Sequence, residues 1–330
     1  MIRPNIDVIL PFRTVDRFLP QAVKSVLSSK SVQARVILID DRISDTEKLP
    51  FDFGTRVLIV RSSKRGYGNA ISEGLRQVTT EYFSLMNADD LMHPHKLSIQ
   101  IAHLKNSRSS LSIGKILKFD ESLRIVPSKL GALDKGYDPR ALLLGAYGAD
   151  ATWCGRTESF RDWIFSTGLA TDWITAIEYF PTITICYSPR AIYFYRQHKN
   201  QLTRSIEYRV KSFNEIYPSW KILNAKYLLP SLDLQSSKLI CAPWAIDGIP
   251  SKESILRAIE WIDSFNNEKI FTLQSILNRR YLFLFIILMR KRQMGFGIFL
   301  RSIRGLLSYL FDMIMVPVET IRFRRFLTHK

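Results

Sequence analysis

The sequence predicts an α/β fold built on a doubly wound, mostly parallel β-sheet. In the N-terminal part, apolar runs of strand length alternate with segments whose apolar residues recur at helical spacing, a pattern typical of βαβ units. The run ARVILID is almost continuously apolar, as expected of a parallel strand covered on both faces. The predicted elements are strands at Ile6–Phe12, Ala34–Asp40, Arg56–Val60 and Tyr82–Met86, and helices at Phe18–Leu27 and Asn69–Val78.

The segment Glu81–Leu97, EYFSLMNADDLMHPHKL, is central to this prediction. It begins as a buried strand, breaks at Asn87-Ala88-Asp89-Asp90, and continues after Pro94 as a helix. Adjacent carboxylates at the end of a buried strand are costly unless a cation lies beside them, and ligands bind at this edge of open α/β sheets. A Mg²⁺ or Mn²⁺ ion shared with a diphosphate would meet both conditions. The alternative is that Asp89 and Asp90 only cap the helix.

The chain of 330 residues is strongly basic, with a net charge of +17. Its hydrophobic content of 46% is ordinary for a globular protein, whereas the charge predicts an anionic partner: nucleic acid, nucleotide or an acidic membrane surface. Cys154, Cys186 and Cys241 match neither a metal-ligand spacing nor an even set of disulfides, which favours a reducing compartment. We expect no secretory leader, because Arg3 and Asp7 bracket only a short apolar run.

Beyond Asn106 the alternation of strands and helices gives way to a different pattern. Amphipathic spacing predicts two later helices, the second opened by Ser251 with Glu253 in its first turn. The predicted elements are strands at Leu111–Phe119, Arg124–Val126, Ile183–Tyr187 and Ala191–Tyr195, and helices at Pro139–Leu144, Ile206–Trp220 and Ser251–Phe265.

Four short motifs follow one another along the chain. They are VILPF near the N-terminus, LIDDRISDT at Leu38–Thr46, the glycine turn before Asn69 and Ala70, and LMNADDLMHPHKL. Each motif alone is weak, but their order and spacing within one α/β pattern are specific, and about residues 5–205 resemble the family 2 glycosyltransferases. The resemblance implies the GT-A fold, a Rossmann-like form of the predicted architecture, and sugar transfer from a nucleotide-sugar donor.

The resemblance also implies a donor site at the carboxyl ends of the first strands. Phe12 lies where the family places its base pocket, although it would equally suit the core. Asp41 is implied to accept a hydrogen bond from the base, with uracil favoured; the alternative is that Asp40 and Asp41 only shape a turn. A cationic turn before a helix suits a diphosphate, although a solvated basic loop is the alternative for Lys64. The residues expected to bind the nucleotide sugar are Pro11, Phe12, Arg13, Asp41, Lys64, Gly66, Asn69, Asn87 and Arg196.

A divalent metal ion, Mn²⁺ or Mg²⁺, is implied next to this donor site. Asn87-Ala88-Asp89 stands in the place of the family's DxD motif, with asparagine where the first aspartate is usual. An asparagine still offers a carbonyl acceptor, but it brings no charge. The tract around His198 also resembles the family, where it closes over the diphosphate. The expected metal ligands are therefore Asp89, Asp90 and His198.

The segment Gly145–Phe180 resembles the acceptor half of the family, which ends in an acidic pair. Thr171-Asp172 stands in that place, so only the second carboxylate is present. The resemblance implies that Asp172 is the general base of an inverting reaction. The alternative is an N-cap of a helix at Trp173–Phe180. Trp153 and Trp173 would suit either sugar stacking or the core.

The C-terminal segment predicts contact with a membrane surface. From Arg279 onward, basic residues are interleaved with apolar ones, and the run Tyr281–Met289 is too short to span a bilayer. Such segments lie in the interface of anionic membranes; a buried helix with a solvated basic face is the alternative. The predicted domains are a GT-A domain at 1–205 (donor half 1–106, acceptor half 107–205), a C-terminal helical extension at 206–278 and a membrane-associating segment at 279–330.

These features predict an inverting, metal-dependent glycosyltransferase of the EC 2.4 class. It would move a sugar from a nucleoside diphosphate donor, with UDP favoured, to a hydroxyl of a lipid-linked or growing polysaccharide. We expect it in the cytoplasm, peripherally bound to the inner face of the plasma membrane and without a nucleic acid partner. The alternative is a basic α/β protein that binds membrane or nucleic acid and has a degenerate transferase site. Against it, Asp41, Asp89, Asp90 and Asp172 are all present, and no nucleic-acid-binding motif is recognised.

Overall fold

The computed structural model describes residues 3–42, 49–126, 138–145, 148–199, 201, 205–246 and 250–267. The chain divides into two compact units, which are Met1–Val126 with Gly148–His198 and Pro127–Tyr147 with Lys199–Lys330. Segment 127–147, which the predicted boundaries assign to the first domain, groups with the second unit. The predicted membrane-associating segment at 279–330 and residues 43–46 of the second motif lie outside the described residues.

The described strands of the first unit form one mixed sheet. They are β1 (Asn5–Phe12), β2 (Gln33–Asp40), β3 (Val57–Arg61), β4 (Tyr82–Leu85), β5 (Leu91–Met92), β6 (Leu111–Asp120), β7 (Ile125–Val126), β8 (Trp153–Arg156) and β9 (Ile185–Gln197). The first four are parallel, as predicted, and their order is β3-β2-β1-β4. The register pairs Phe12 with Asp40 and Ile9 with Leu85, so β1, β2 and β4 end at one edge of the sheet.

The sheet continues beyond β4 in the order β8-β6-β9-β5, with mixed directions. Strand β8 is antiparallel to β4 and β6, whereas β9 is parallel to β6. Strand β9 is continuous over 13 residues, although the sequence predicts two strands here. Its register against β6 shifts between Gly114 and Lys115, so an irregularity within one strand accounts for the interrupted apolar pattern. Strand β5 pairs with β9 through Leu91 and Phe194, which joins the Asp89-Asp90 turn to the far side of the sheet.

The described α-helices of the first unit are α1 (Phe18–Leu27), α2 (Tyr67–Arg76), α3 (Lys96–Ser107) and α4 (Thr171–Tyr179). Helix α1 buries Leu19, Val23 and Val26, which confirms its predicted amphipathic pattern. Helix α2 begins earlier than predicted, directly after Gly66. Gly66 has a φ of 122°, a backbone conformation that residues with a side chain rarely adopt. The turn before α2 therefore depends on a glycine at this position.

The second unit is helical in its described part. Its α-helices are α5 (Ile206–Lys226), α6 (Leu234–Cys241) and α7 (Lys252–Asn267), and a 3₁₀ helix covers Pro139–Leu144. Trp220 donates from Nε1 to the Leu143 carbonyl (3.1 Å), and Trp261 donates to Asn224 Oδ1 (2.7 Å), so both buried indoles are satisfied. Within the described ranges, the helices lack the combined length and apolar character needed to cross a bilayer.

A lysine side chain lies in the core of the first unit. Lys96 on α3 is fully buried (0% exposed), and its Nζ donates to Ser84 Oγ at 3.1 Å. The Ser84 hydroxyl in turn donates to the Trp153 carbonyl at 2.6 Å. Burial lowers the pKa of the Lys96 ammonium to about 8, and the neighbouring Cys154 only partly opposes this effect. At neutral pH the fold therefore bears the cost of a desolvated charge.

We predict that Lys96→Met stabilises the protein at pH 7 by about 3 kcal/mol, the energy equivalent of the lowered pKa. The folded-state pKa is below the unfolded value of 10.5, so in the native protein the free energy of unfolding should rise between pH 8 and pH 10.5. The variant should lack this rise. Urea unfolding across that range measures both effects. The matched control is the exposed Lys24→Met on α1; equal pH profiles for native protein and Lys96→Met would contradict the prediction.

Candidate active site

The carboxyl ends of β1 and β2 carry the first part of the site. The Asp41 backbone N–H donates to the Phe12 carbonyl at 2.9 Å, which extends the hydrogen bonding between β1 and β2 to the residue after β2. The Asp41 carboxylate accepts the Gly66 N–H, at 3.0 Å to Oδ1 and 3.3 Å to Oδ2. Burial raises the pKa of Asp41, against the lowering effects of the Gly66 N–H and the nearby Arg13 charge. Asp41, Arg13 and the start of α2 are therefore neighbours.

Phe12 belongs to the core, the second of the two roles that the sequence leaves open. Its side chain is 2% exposed, and the Arg42 guanidinium carbon lies 5.4 Å from the ring centroid. Arg42 also binds Asp40 at 2.9 Å, and Arg61 lies 3.6 Å from the same carboxylate. Burial works to raise the pKa of Asp40, but these guanidinium groups outweigh it and leave that pKa below its ordinary value. Asp40 thus stays ionised and fixes Arg42 at the end of β2.

The turn after β4 is built around Asp90. This residue is fully buried (0% exposed) and accepts three hydrogen bonds, from Tyr193 Oη (2.6 Å), Asn87 Nδ2 (3.1 Å) and the Arg196 backbone N–H (2.6 Å). Burial raises the pKa of Asp90, the adjacent Asp89 adds to the effect, and the three donors oppose it. Two of the donors come from β9, so Asp90 fastens the turn to that strand.

Asp89 and His198 lie side by side at the surface of the same turn. His198 Nε2 is 2.9 Å from Asp89 Oδ2, and the Asp89 side chain is 34% exposed. Within the described residues, no group of three or more His, Cys, Asp and Glu side chains could hold a metal ion. The Asp89 carboxylate fits Mg²⁺ or Mn²⁺, because Mg²⁺ commonly takes one or two carboxylates and completes its shell with water and phosphate oxygens.

Arg196, predicted to bind the nucleotide, is buried behind this turn. Its Nε donates to the Asp89 carbonyl (2.7 Å), and Nη2 donates to Gln21 Oε1 (2.9 Å). The guanidinium carbon lies 4.4 Å from the Phe18 ring centroid and 4.8 Å from that of Phe119. These contacts place the Arg196 side chain in the protein interior, where it supports the turn.

The remaining predicted donor residues differ in exposure and in their contacts. Pro11 is buried within β1, whereas Lys64 is exposed. Asn69 donates from Nδ2 to the Arg65 carbonyl at 2.9 Å and so stabilises the turn before α2. Asn87 accepts a hydrogen bond at Oδ1 from Tyr67 Oη (3.0 Å). Tyr67 is not among the site residues predicted from the sequence, because the residues around a tyrosine at a helix start do not indicate which distant side chains it will contact.

Helix α2 also holds the loop that carries the predicted base. A Cβ on Gly68 would lie 1.9 Å from the Ser166 carbonyl oxygen, so only glycine permits this close approach. The Phe165 backbone N–H donates to Ser72 Oγ (3.1 Å) on the same helix. Asp172 follows in the first turn of α4, partly exposed, and its charge acts on the Tyr67 hydroxyl.

The alternative roles for this segment are decided by the helix boundaries and by burial. Helix α4 starts at Thr171, so the capping position is Ala170 and the N-cap role considered for Asp172 is wrong. Asp172 Oδ1 accepts the N–H of the adjacent Trp173 at 2.9 Å. Trp153 and Trp173 are buried core residues, at 0% and 1% exposure.

Asp150 is a further carboxyl that the sequence analysis did not identify. It lies in the 3₁₀ turn Asp150–Thr152 that precedes β8, and it is 4% exposed. Burial raises its pKa to about 8; the Asp172 charge adds to this, and the Tyr67 hydroxyl and Ala151 N–H oppose it. Tyr67 thus neighbours Asp150, Asp172 and Asp90 at once, and the predicted carboxylates share one region of the sheet edge.

The fold is GT-A. The structure resembles S. aureus TarS 1–349, solved in complex with UDP-GlcNAc, with a TM-score of 0.51 and 14% sequence identity. The likeness covers 96% of this chain and 92% of that one. The same TarS fragment solved with UDP gives a TM-score of 0.50 at 15% identity.

Residues 7–160 match the family described as Glycosyl transferase family 2, and this part of the chain belongs to it. An uncharacterized glycosyltransferase of Rickettsia typhi is 27% identical over 99 residues, which are 30% of this chain and 31% of the relative. A Bacillus subtilis protein named as the glycosyltransferase EpsE is 27% identical to this chain over 146 residues, which are 40% of this chain and 52% of the relative. The chain thus spans about half the length of these relatives or less.

The geometry of the turn predicts different roles for its two aspartates. Asp90→Ala would leave the Tyr193 hydroxyl and the Arg196 N–H without an acceptor, and should lower the free energy of unfolding by about 3 kcal/mol. Asp89→Ala is the matched variant. It removes one partly exposed contact with His198 and should cost less than about 1 kcal/mol. Chemical unfolding at pH 7 measures both; similar losses for the two variants would contradict the assignment.

Proposed function

We propose that the protein is an inverting, metal-dependent glycosyltransferase that uses a nucleoside diphosphate sugar. The observation that carries this proposal is the arrangement around the start of α2. Asp41 binds Gly66, the next residue Tyr67 binds Asn87, and Asp172 acts electrostatically on Tyr67. A base contact, a diphosphate turn and a candidate general base are thereby brought to one edge of the sheet, where open α/β sheets bind ligands.

The donor is bound from the first strands and the start of α2. Asp41 accepts the imide N–H of uracil, and Arg13 and Lys64 lie near the negative charge of the diphosphate, which the N–H groups at the start of α2 also favour. Asn87 orients the ribose. The preference for UDP is supported by the TarS structures solved with UDP-GlcNAc and with UDP.

Asp89 and His198 would hold a divalent cation, Mn²⁺ or Mg²⁺, beside the donor diphosphate. When bound, it supplies positive charge opposite the departing nucleoside diphosphate. Asp90, first predicted as a third ligand, has both oxygens engaged by protein donors and acts by holding the turn. Arg196 supports Asp89 from behind by binding its carbonyl.

Asp172 is the general base of the transfer. It takes the proton of the acceptor hydroxyl, whose oxygen forms a bond to the anomeric carbon as the bond from that carbon to the diphosphate oxygen breaks. The bonding pair leaves with the nucleoside diphosphate, and attack from the opposite face inverts the anomeric centre. Proton transfer of this kind contributes roughly 10²- to 10⁴-fold in rate.

The acceptor is a lipid-linked or growing polysaccharide, and the protein works at the inner face of the plasma membrane. This part of the proposal rests on the basic, apolar character of residues 279–330 and on the net charge of +17. A peripheral location would bring a cytoplasmic nucleotide sugar and a membrane-bound acceptor together.

We predict that Asp172→Asn lowers kcat at least 100-fold and changes the affinity for UDP in MnCl₂ less than threefold, because the base acts on the acceptor. Release of UDP from a panel of UDP-sugars with a crude lipid-linked acceptor fraction measures turnover, and isothermal titration measures binding. The control is Asp162→Asn, an exposed aspartate in the preceding loop, which should keep native rates. A loss of UDP affinity at unchanged kcat would show that Asp172 serves the donor instead.

The metal ligands are tested by Mn²⁺ titration in the presence of UDP. Asp89→Ala and His198→Ala should each weaken Mn²⁺ binding at least tenfold, because each removes a protein donor from a set of two. The exposed His95→Ala should bind Mn²⁺ like the native protein. Electron paramagnetic resonance of free Mn²⁺ measures the affinity, and native affinity in both ligand variants would exclude this pair.

A further inference from the structure

Asp150 is a buried carboxyl to which the proposed transfer assigns no role. Oδ1 accepts the Ala151 N–H at 2.7 Å. Oδ2 is fully enclosed, and within the described ranges no donor meets hydrogen-bond geometry with it. A carboxylate in this state would leave a buried charge half satisfied, which is costly in an interior. A proton on Oδ2 removes the charge and converts the oxygen from an unsatisfied acceptor into a donor.

The surroundings of Asp150 favour the protonated acid. Burial raises its pKa to about 8, and the negative charge of Asp172, on α4, contributes to the rise. Tyr67, on α2, and the Ala151 N–H oppose it. Among the described residues, Tyr67 and Asp172 are the titratable side chains that act on this carboxyl. At pH 7 the acid form therefore predominates.

The Tyr67 hydroxyl needs a donor. It gives its single hydrogen to Asn87 Oδ1 at 3.0 Å, so its oxygen is left to accept. The same hydroxyl interacts with the Asp150 carboxyl, although the two are not aligned as a full hydrogen bond. A protonated Oδ2 can donate to this oxygen, whereas the ionised carboxylate can only accept the Tyr67 hydrogen.

The hydrogen bonds then run in one direction through the site. Asp150 donates to Tyr67, Tyr67 donates to Asn87, and Asn87 donates through Nδ2 to Asp90 at 3.1 Å. An aspartate at position 87 could not complete this series, since its carboxylate would face the Asp90 carboxylate with no hydrogen to give. The asparagine that departs from the family's DxD pattern is therefore the residue type that both neighbours require.

We propose that Asp150 is a positioning residue whose carboxylic acid, through Tyr67, holds Asn87 in the orientation it needs at the donor site. The inference rests on the proposed function, because Asn87 is taken to bind the ribose. It links the acceptor side, where Asp150 and Asp172 lie together, to the donor side. It also gives donor binding a pH dependence: above the pKa of Asp150 the carboxylate no longer donates, and it competes with Asn87 Oδ1 for the Tyr67 hydrogen.

Three variants test this role through UDP affinity in MnCl₂ between pH 6.5 and 9.5. Asp150→Leu and Tyr67→Phe break the series at every pH and should weaken UDP binding about three- to tenfold, the value of one hydrogen bond. Asp150→Asn keeps a permanent donor. It should bind UDP within twofold of the native protein at pH 7 and lose the weakening that the native protein shows above pH 8. An unchanged alkaline weakening in Asp150→Asn, or native affinity in Tyr67→Phe, would overturn the proposal.

A second measurement needs no ligand and separates this inference from the proposed function. The side-chain amide resonances of Asn87 in ¹H–¹⁵N spectra of the full chain should shift with a midpoint near pH 8 in the native protein. They should be displaced in Tyr67→Phe and should stay pH-independent in Asp150→Asn. Asn87 amide chemical shifts that change neither with pH nor in Asp150→Asn would refute the hydrogen-bond series. A normal series in a protein that binds no nucleotide would instead refute the proposed function alone.

Discussion

The site depends on the burial of one carboxylate, Asp90. A carboxyl group with no exposure is tolerable only if donors surround its oxygens, and the structure supplies them from the Tyr193 hydroxyl, the Arg196 N–H and the Asn87 amide. Because two of these donors belong to β9, the carboxylate fixes that strand against the turn that follows β4. The position of Asp89, at the surface of the same turn, is a consequence.

The acceptor side is held by close backbone packing. Gly68 has no side chain where the Ser166 carbonyl approaches, and Ser72 binds the Phe165 N–H, so the loop before α4 lies directly on α2. Tyr67, at the start of that helix, consequently touches both sides of the site. A short helix thus connects the residue that would bind the ribose with the one that would accept the proton of the acceptor.

Much of the fold and of the donor site was predictable from local pattern. The parallel strands and α1 appear where the apolar periodicity predicts them, and Asp41, Asn87 and Asp89 follow strands that end at one edge. Burial is less predictable at the ends of these elements. Phe12 is in the core and Arg196 is behind the turn, since an aromatic or a long cationic side chain fits either environment until its neighbours are known.

The sequence by itself determined which elements form and which residue types follow the strands, because both depend on short-range periodicity and on the edge rule for parallel sheets. Only the tertiary structure decided which polar side chains meet. Tyr67, Asp150 and Tyr193 have no local signature, and each is defined by a partner far away in the chain; Tyr193 and its acceptor Asp90, for example, are 103 positions apart. The physical reason is that a buried polar group takes its state from the donors and charges packed around it, and packing is a property of the whole fold.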